Sequence, residues 1–168
     1  MMSFPRPVVV MGVSGTGKST IGEALAQVLG IPFVEGDDLH PRANVDKMAS
    51  GIPLTDADRA PWLDRVAAEL DRPVVVTCSA LKRTYRARLR AAAPDLALVY
   101  LRGSRELLTA RMAGRDGHFM PVSMLESQLA TLEEPTPDEH AIAVDVELSS
   151  ERIVQLVVDR LRKENPDG

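Results

Sequence analysis

Short apolar runs alternate along the chain with longer segments in which apolar residues recur every three or four positions. The short runs have the length and the valine and isoleucine content of buried strands, and they lie at residues 8–11, 31–35, 73–78, 96–101 and 141–146. Alternation of strands with amphipathic segments is typical of βαβ units, whose strands pair in parallel. The pattern therefore predicts a three-layer α/β fold, a five-stranded parallel sheet flanked by helices.

The longer segments carry residue types that begin and end helices. Gly30 is suited to end the first helix, and Thr55 with Asp58 has capping-box spacing ahead of residues 62–70. Ser123 and Glu126 repeat that spacing and predict the start of another helix. The predicted helices lie at residues 18–29, 41–50, 62–70, 82–92, 104–113, 123–132 and 151–163.

The composition narrows the class of protein. Of the 168 residues, 45% are apolar and 26% charged, close to the averages for soluble proteins. The net charge of -4 does not favour nucleic acid, and the apolar run at 8–13 is too short for a membrane span. Cys78 is the only cysteine, which excludes an intrachain disulfide and fits a reducing compartment. We expect a single cytoplasmic domain, residues 1–168, with neither nucleic acid nor membrane as partner.

Residues 12–19 (GVSGTGKS) form a complete Walker A motif between a predicted strand and a predicted helix. Such a loop curls so that successive backbone N–H groups converge on phosphate oxygens at a helix N-terminus. Lys18 would reach the β- and γ-phosphates, and the Ser19 hydroxyl would coordinate Mg²⁺. We therefore expect ATP and Mg²⁺ as cofactors, with nucleotide contacts from Ser14, Gly15, Thr16, Gly17, Lys18, Ser19 and Thr20.

The loop is shared by kinases, GTPase switches and motor ATPases, so other positions must separate them. A motor ATPase carries an acidic pair at the end of its Walker B strand, whereas the third predicted strand ends in Thr77-Cys78-Ser79. A GTPase carries an N-K-x-D sequence, and the chain has none. These observations favour a small kinase and leave a nucleotide switch as the lesser alternative.

Acidic residues follow the second predicted strand, where an acceptor site is expected in an open α/β sheet. Glu35 and Asp37 share a face if the segment is extended. An acceptor hydroxyl needs a carboxylate to orient it and take its proton, and a carboxylate also holds Mg²⁺-bound water. We predict Asp37 as catalytic base, substrate contact and metal-site residue, with Glu35 as its alternative at the metal. Asp38 would instead cap the next helix.

Four blocks of sequence resemble the gluconokinase family. They are the Walker A loop, GDDLHPRANVDKMASGIPLTDADRAPWL, CSALKRTYRARLR, and RDGHFMP followed by SQLATLEEP, in family order from about residue 11 to 135. Glu35 stands where many relatives have aspartate, and Leu129 where phenylalanine is frequent. The resemblance implies a P-loop kinase fold with a small lid, like those of shikimate and nucleoside-monophosphate kinases. It also implies phosphorylation of D-gluconate to 6-phosphogluconate with ATP and Mg²⁺, and a homodimer.

A sugar acid requires a cation for its carboxylate and hydrogen-bonding groups for its hydroxyls. Lys82 and Arg86 share a helix face near the third strand tip, so both are predicted to contact the substrate, although a solvated basic face is the alternative. His40 and His118 are predicted to hydrogen-bond sugar hydroxyls, and Gln128 to reach the substrate from the helix after the lid.

The glycine-containing segment at about 112–122 is predicted to close over the phosphates as a lid. Arg111 and Arg115 would then neutralise charge on the transferring phosphoryl group as catalytic residues, unless they only complement a helix dipole. Two other functions stay open. One is a kinase for shikimate or another small hydroxy acid, and the other is a regulatory module that binds nucleotide without turnover.

Overall fold

A computed structural model describes residues 4–113 and 122–164 of the chain. Its strands and α-helices are, in chain order, β1 (Val8–Met11), α1 (Lys18–Leu29), β2 (Phe33–Glu35), α2 (Arg42–Ala49), α3 (Asp56–Glu69), β3 (Val75–Thr77), α4 (Arg83–Ala92), β4 (Ala97–Arg102), α5 (Arg105–Ala113), α6 (Val122–Thr131), β5 (Ile142–Asp145) and α7 (Ser150–Glu164). Two short 3₁₀ helices, Gly36–Leu39 and Pro137–Glu139, complete the described secondary structure.

The five strands form one parallel sheet in the order β2-β3-β1-β4-β5. β1 is central, and the chain leaves it first toward β3 and β2 and later toward β4 and β5. The strand order thus reverses beside β1, and ligands of open α/β sheets bind at the carboxyl ends of strands at such a point. The predicted fold class is confirmed, and the Walker A loop lies at this reversal.

Apolar side chains cover both faces of the sheet, as expected when helices flank it. Along β1, Val8 and Val10 belong to the core beneath α1 and α7, while Val9 and Met11 belong to the core beneath α3 and α4. Cys78 is buried in the second core, and burial raises the pKa of its thiol to about 12. A packing role for this cysteine follows. None of the helices in the described ranges combines the length and apolar character needed to cross a membrane.

Most element boundaries lie within two residues of the positions predicted from the sequence pattern. β1 and α1 begin and end as predicted, and Gly30 has the left-handed backbone of a helix stop. The predicted capping box of Thr55 and Asp58 is present, and α3 begins directly after it at Asp56. α6 begins at Val122, so the predicted start at Ser123 was wrong by one residue.

The acidic segment after β2 was predicted as an extended strand tip, and this was wrong beyond Glu35. Residues Gly36–Leu39 form a 3₁₀ helix, which includes Asp37 and Asp38, and Pro41 rather than Asp38 caps α2. The 3₁₀ helix lies against β3 so closely that a Cβ on Gly36 would be 1.7 Å from the carbonyl oxygen of Thr77. Only glycine permits this approach, which brings the acidic residues beside the central strands.

Candidate active site

The loop between β1 and α1 has the backbone of a phosphate cradle. Gly15 and Gly17 have φ angles of 89° and 84°, which residues with a Cβ atom rarely adopt. The buried Thr16 hydroxyl donates to the Val13 carbonyl at 2.8 Å and closes the loop on itself. Lys18 Nζ lies 3.3 Å from the same carbonyl oxygen. The backbone of the loop and the first turn of α1 therefore surround a single site, where the Walker A sequence predicts that phosphate binds.

A cavity of about 430 Å³ opens on one side of this loop. It is lined by α1, α5 and the segment after β5, through Gly15, Thr16, Gly17, Thr20, Ile21, Ala110, Arg111, Val146, Leu148, Ser150 and Ile153. The guanidinium of Arg111 donates to the carbonyls of Gly15 at 3.3 Å and Val146 at 2.8 Å. In this arrangement Arg111 forms a wall of the cavity. Its predicted contact with the transferring phosphoryl group stays a prediction.

A network of hydroxyls and one carboxylate lies at the start of α1. Ser19 Oγ and Thr77 Oγ1 both donate to the carboxylate of Glu35, and the Gly36 backbone N–H donates to Thr77 Oγ1 at 3.0 Å. Glu35 is thus held between the Walker A loop and β3. Hydroxyl and carboxylate oxygens are the hard ligands that Mg²⁺ and its bound water prefer, so the residues present fit this ion.

A second cleft lies on the other side of the loop, and it contains Lys18 and Asp37 together. Its lining residues are Ser14, Lys18, Asp37, His40, Met48, Leu54, Arg59, Trp62, Ser79, Leu81 and Gln128. Although the Asp37 side chain is 59% exposed, protein atoms crowd the carboxyl and raise its pKa, while the Lys18 ammonium lowers it and Glu35 and Asp38 raise it further. Asp37 therefore lines the cleft and faces the Lys18 cation there.

His40 forms part of the cleft wall beside Asp37. Its ring stacks on Trp62, with centroids 4.2 Å apart and an interplanar angle of 13°, and its Nε2 lies 4.0 Å from Asp37 Oδ1. Burial and then the positive charge of Arg59 lower the pKa of His40 to about 4. His40 is therefore neutral at pH 7 and lines the cleft, and its contact with substrate stays a prediction.

Arg59 is the cleft residue that sequence reasoning missed. Its Nη1 donates to the Tyr85 hydroxyl at 3.0 Å, with the guanidinium carbon 5.5 Å from the ring centroid, and Tyr85 donates to Asp56. Within the described part of the chain its other N–H groups make no hydrogen bond, so they are available to an anion. The resembling block GDDLHPRANVDKMASGIPLTDADRAPWL contains Arg59, and this was the signal that could have found it.

Arg86 was predicted to contact the substrate, but the structure places it elsewhere. Its side chain is 3% exposed, its Nε and Nη2 donate to the Glu139 carboxylate at 2.6 and 3.2 Å, and its Nη1 donates to the Ala80 carbonyl at 2.8 Å. Burial opposes ionisation of Glu139, but hydrogen bonds from Arg86 and Thr136 outweigh it and lower its pKa. Arg86 is thus committed to a buried ion pair and does not line the cleft.

Lys82, the other predicted cation, is at the N-terminus of α4 and forms an exposed ion pair with Asp56 at 3.0 Å. It does not line the cleft either. Gln128 does line it, and its Oε1 accepts from the backbone N–H and the hydroxyl of Ser14 at 2.7 and 3.1 Å. Arg115, His118 and most of the predicted lid lie outside the described residues.

The buried ion pair between Arg86 and Glu139 predicts that replacing Arg86 destabilises the protein more than replacing Lys82, whose ion pair with Asp56 is exposed. Arg86→Met removes the buried cation of the Glu139 carboxylate and leaves it the Thr136 N–H and the more exposed Arg83, so it should lower the free energy of unfolding by about 3–5 kcal/mol. Lys82→Met breaks an exposed pair and should cost about 0–1 kcal/mol. Urea denaturation followed by circular dichroism measures both values. Equal losses in the two variants would contradict a structural role for Arg86.

Comparison with known proteins identifies the family. The family model described as AAA domain matches residues 8–135. A gluconokinase of Gluconobacter oxydans (strain 621H) is 48% identical over 167 residues, which cover 96% of this chain and 94% of the relative. The chain belongs to the gluconokinase family. The likeness to this relative covers nearly the whole chain, whereas the four sequence blocks that predicted the family span about residues 11–135.

Solved structures agree with this family and with the fold. The crystal structure of a gluconokinase from Sinorhizobium meliloti 1021 has a TM-score of 0.91 and 51% identity, covering 98% of this chain and 96% of that one. The structure of shikimate kinase from Aquifex aeolicus covers 96% of this chain and 99% of that one, with a TM-score of 0.59 and 16% identity. The second likeness shows the shared fold alone, whereas the first relates this chain to the gluconokinase family.

Proposed function

We propose that the protein transfers the γ-phosphoryl group of ATP to D-gluconate and forms 6-phosphogluconate. The observation that carries the proposal is the placement of Lys18 and Asp37 in one cleft, on the side of the Walker A loop opposite the cavity formed with α5 and α7. Nucleotide in that cavity and acceptor in the cleft would meet at the loop. The membership of this chain in the gluconokinase family supports gluconate as the acceptor.

Asp37 is the proposed base. Phosphoryl transfer depends mainly on positioning and on charge stabilisation, and the acceptor hydroxyl must lose its proton as the new P–O bond forms. A carboxylate whose pKa is raised takes that proton more readily than one with an ordinary pKa. Lys18, close enough to oppose that rise, would stabilise the negative charge on the phosphate oxygens.

Ser19 and Glu35 are the proposed metal-site residues, with Ser19 as ligand and Glu35 orienting bound water. Mg²⁺ supplies charge neutralisation at the β- and γ-phosphates in such kinases. The hydrogen bond from Ser19 to Glu35 favours Glu35 over Asp37 for this task, because Asp37 lies in the acceptor cleft. The two carboxylates thus have separate roles, although the sequence had assigned Asp37 to both.

Arg59 is the proposed partner of the gluconate carboxylate, in place of Lys82 and Arg86. A guanidinium binds a carboxylate through paired N–H groups, and Arg59 lines the cleft while the other two cations do not. Tyr85 and Asp56 hold it in position. His40 and Gln128 would contact hydroxyl groups from the same walls.

Arg59→Met should raise the KM for gluconate by about 10–100-fold, because it removes a charge-assisted hydrogen bond to the substrate. The KM for ATP should change little, since Arg59 lies on the acceptor side of the loop. Lys82→Met is the matched control, because Lys82 belongs to the same Asp56 and Tyr85 network. Steady-state kinetics with each substrate varied measure the effects. A larger rise in the gluconate KM for Lys82→Met would restore the assignment made from sequence.

We also propose that residues 1–168 act as one catalytic domain whose lid spans about 112–122. Arg111, Arg115 and His118 would approach the substrates when this lid closes, and exclusion of water would limit ATP hydrolysis. A homodimer in the cytoplasm is proposed as the working form. The resemblance to the family supports the dimer, and a single buried cysteine is compatible with a reducing compartment.

The proposed function is tested by the rate of ADP formation with Mg²⁺ and a panel of acceptors. The panel contains D-gluconate, other aldonates, shikimate, nucleoside monophosphates and no acceptor. Stimulation by gluconate above the other acceptors is expected. Preference for shikimate would support the second kinase function, and nucleotide binding without acceptor-dependent turnover would support a regulatory module.

A further inference from the structure

Asn44 is a polar side chain buried between helices α2 and α3, with 3% of its surface exposed. Its Nδ2 donates to the Asp58 carbonyl oxygen at 2.9 Å and lies 3.1 Å from Nδ1 of His40. A carbonyl oxygen only accepts hydrogen bonds, so the Asn44 atom facing it must be the amide nitrogen. The second hydrogen of that nitrogen is directed at Nδ1, which therefore accepts.

This contact decides which nitrogen of His40 carries the proton. A neutral imidazole has one donor and one acceptor nitrogen, so an accepting Nδ1 leaves the hydrogen on Nε2. Burial lowers the pKa of His40 to about 4, which keeps the ring neutral at pH 7. Stacking on Trp62, whose Nε1 donates to the Gly36 carbonyl at 2.8 Å, holds the ring plane fixed.

The protonated nitrogen faces the acceptor cleft. Nε2 lies 4.0 Å from Asp37 Oδ1, which is too long for a hydrogen bond. A hydroxyl placed beside both groups could accept from Nε2–H and donate to the Asp37 carboxylate. Asp37 and His40 would then hold such a hydroxyl from two sides, one as acceptor and the other as donor.

We propose that Asn44 is a positioning residue that fixes His40 in its Nε2–H form, so that His40 donates a hydrogen bond to the hydroxyl that Asp37 activates. The inference rests on the proposed function for the identity of the acceptor. It assigns His40 the role of donor rather than base. Asn44 would thus affect catalysis through His40, without itself contacting the substrate.

The tautomer is read directly by NMR of protein labelled with ¹⁵N-histidine. Long-range ¹H–¹⁵N spectra distinguish a protonated from an unprotonated ring nitrogen, and a His40→Gln sample assigns the signals of this residue among the three histidines. The expected spectrum has His40 protonated at Nε2 alone. Protonation at Nδ1 in the unaltered protein would overturn the inference without any variant.

Asn44→Asp tests the consequence for catalysis, because a carboxylate accepts where the amide donated. His40 should then carry a proton on Nδ1, and kcat/KM for gluconate should fall by about tenfold or more, as expected when a hydrogen bond to the substrate is lost. The KM for ATP should stay within about twofold. Lys47→Met is the control, since it removes another contact between α2 and Asp58, at 2.8 Å, without touching His40.

The outcomes separate this inference from the proposed function. Equal kinetic effects of Asn44→Asp and Lys47→Met would reduce Asn44 to a contact between helices and overturn the positioning role. If Asn44→Asp fails to fold, Asn44→Ala removes the donor to Nδ1 without adding another, and a kcat/KM for gluconate equal to that of the unaltered enzyme would likewise overturn the positioning role. An unaltered protein that turns over no acceptor would instead contradict the proposed function, whereas the tautomer measured by NMR would stand.

Discussion

Asp37→Asn is expected to lower kcat by about 10²–10⁴-fold, the range associated with loss of a general base. Asparagine retains the shape of the side chain but cannot accept the proton of the acceptor hydroxyl. Burial of the carboxyl raises the pKa of Asp37 above its ordinary value of 3.8. The plot of kcat against pH for the unaltered enzyme should therefore have its acid limb at a pH above 3.8. Activity should rise as pH increases through that raised pKa, and this limb should be absent from the residual activity of the variant.

The stability of this variant should move in the opposite direction from its activity. A carboxyl group whose pKa is higher in the folded than in the unfolded state is destabilising once the pH exceeds the folded value and the group is ionised. Asp37→Asn should therefore be at least as stable as the unaltered protein at pH 7, as judged by urea denaturation. Asp38→Asn is the matched control, because Asp38 belongs to the same 3₁₀ helix but does not line the cleft. Equal losses of kcat in the two variants would remove Asp37 from the role of base.

Lys18→Ala is expected to lower kcat/KM for ATP by about 10²–10³-fold, comparable to loss of one preorganised donor at a developing charge. Since Lys18 lowers the pKa of Asp37, its loss should also move the acid limb of the profile to higher pH. The variant thus affects both sides of the Walker A loop. Initial rates over a range of pH and ATP concentration measure both effects.

Lys47→Met is a suitable comparison for Lys18→Ala, because it removes an ammonium group that pairs with Asp58 outside the cleft. Its kinetic constants should remain within about twofold of those of the unaltered enzyme. Unchanged kcat/KM for ATP in Lys18→Ala would refute the assignment of the Walker A loop as the phosphate site. A loss of activity without a shift of the acid limb would place Lys18 farther from Asp37 than proposed.

Local features of the sequence predicted the fold well because they depend on contacts between neighbouring residues. The burial of β1 follows from its continuous apolar run, and the capping box of Thr55 and Asp58 follows from residue spacing. The Walker A loop is likewise predicted from local sequence, because its backbone has positive φ angles that glycine adopts readily. The 3₁₀ helix after β2 was missed because its cause is distant in sequence, namely the close approach of Gly36 to Thr77.

The sequence by itself determined the succession of strands and helices along the chain, the phosphate loop, the acidic residues after β2 and the resemblance to one family. Only the tertiary structure decided which cations face the cleft. Spacing places Lys82 and Arg86 on neighbouring positions of a helix, but it does not say which face is buried. The partner of Arg86 is Glu139, 53 residues away, whereas Arg59 reaches the cleft from α3. The partner that the fold brings to a charged side chain therefore decides whether that side chain stabilises the structure or lines the site. Burial of the charge without such a partner would cost too much free energy.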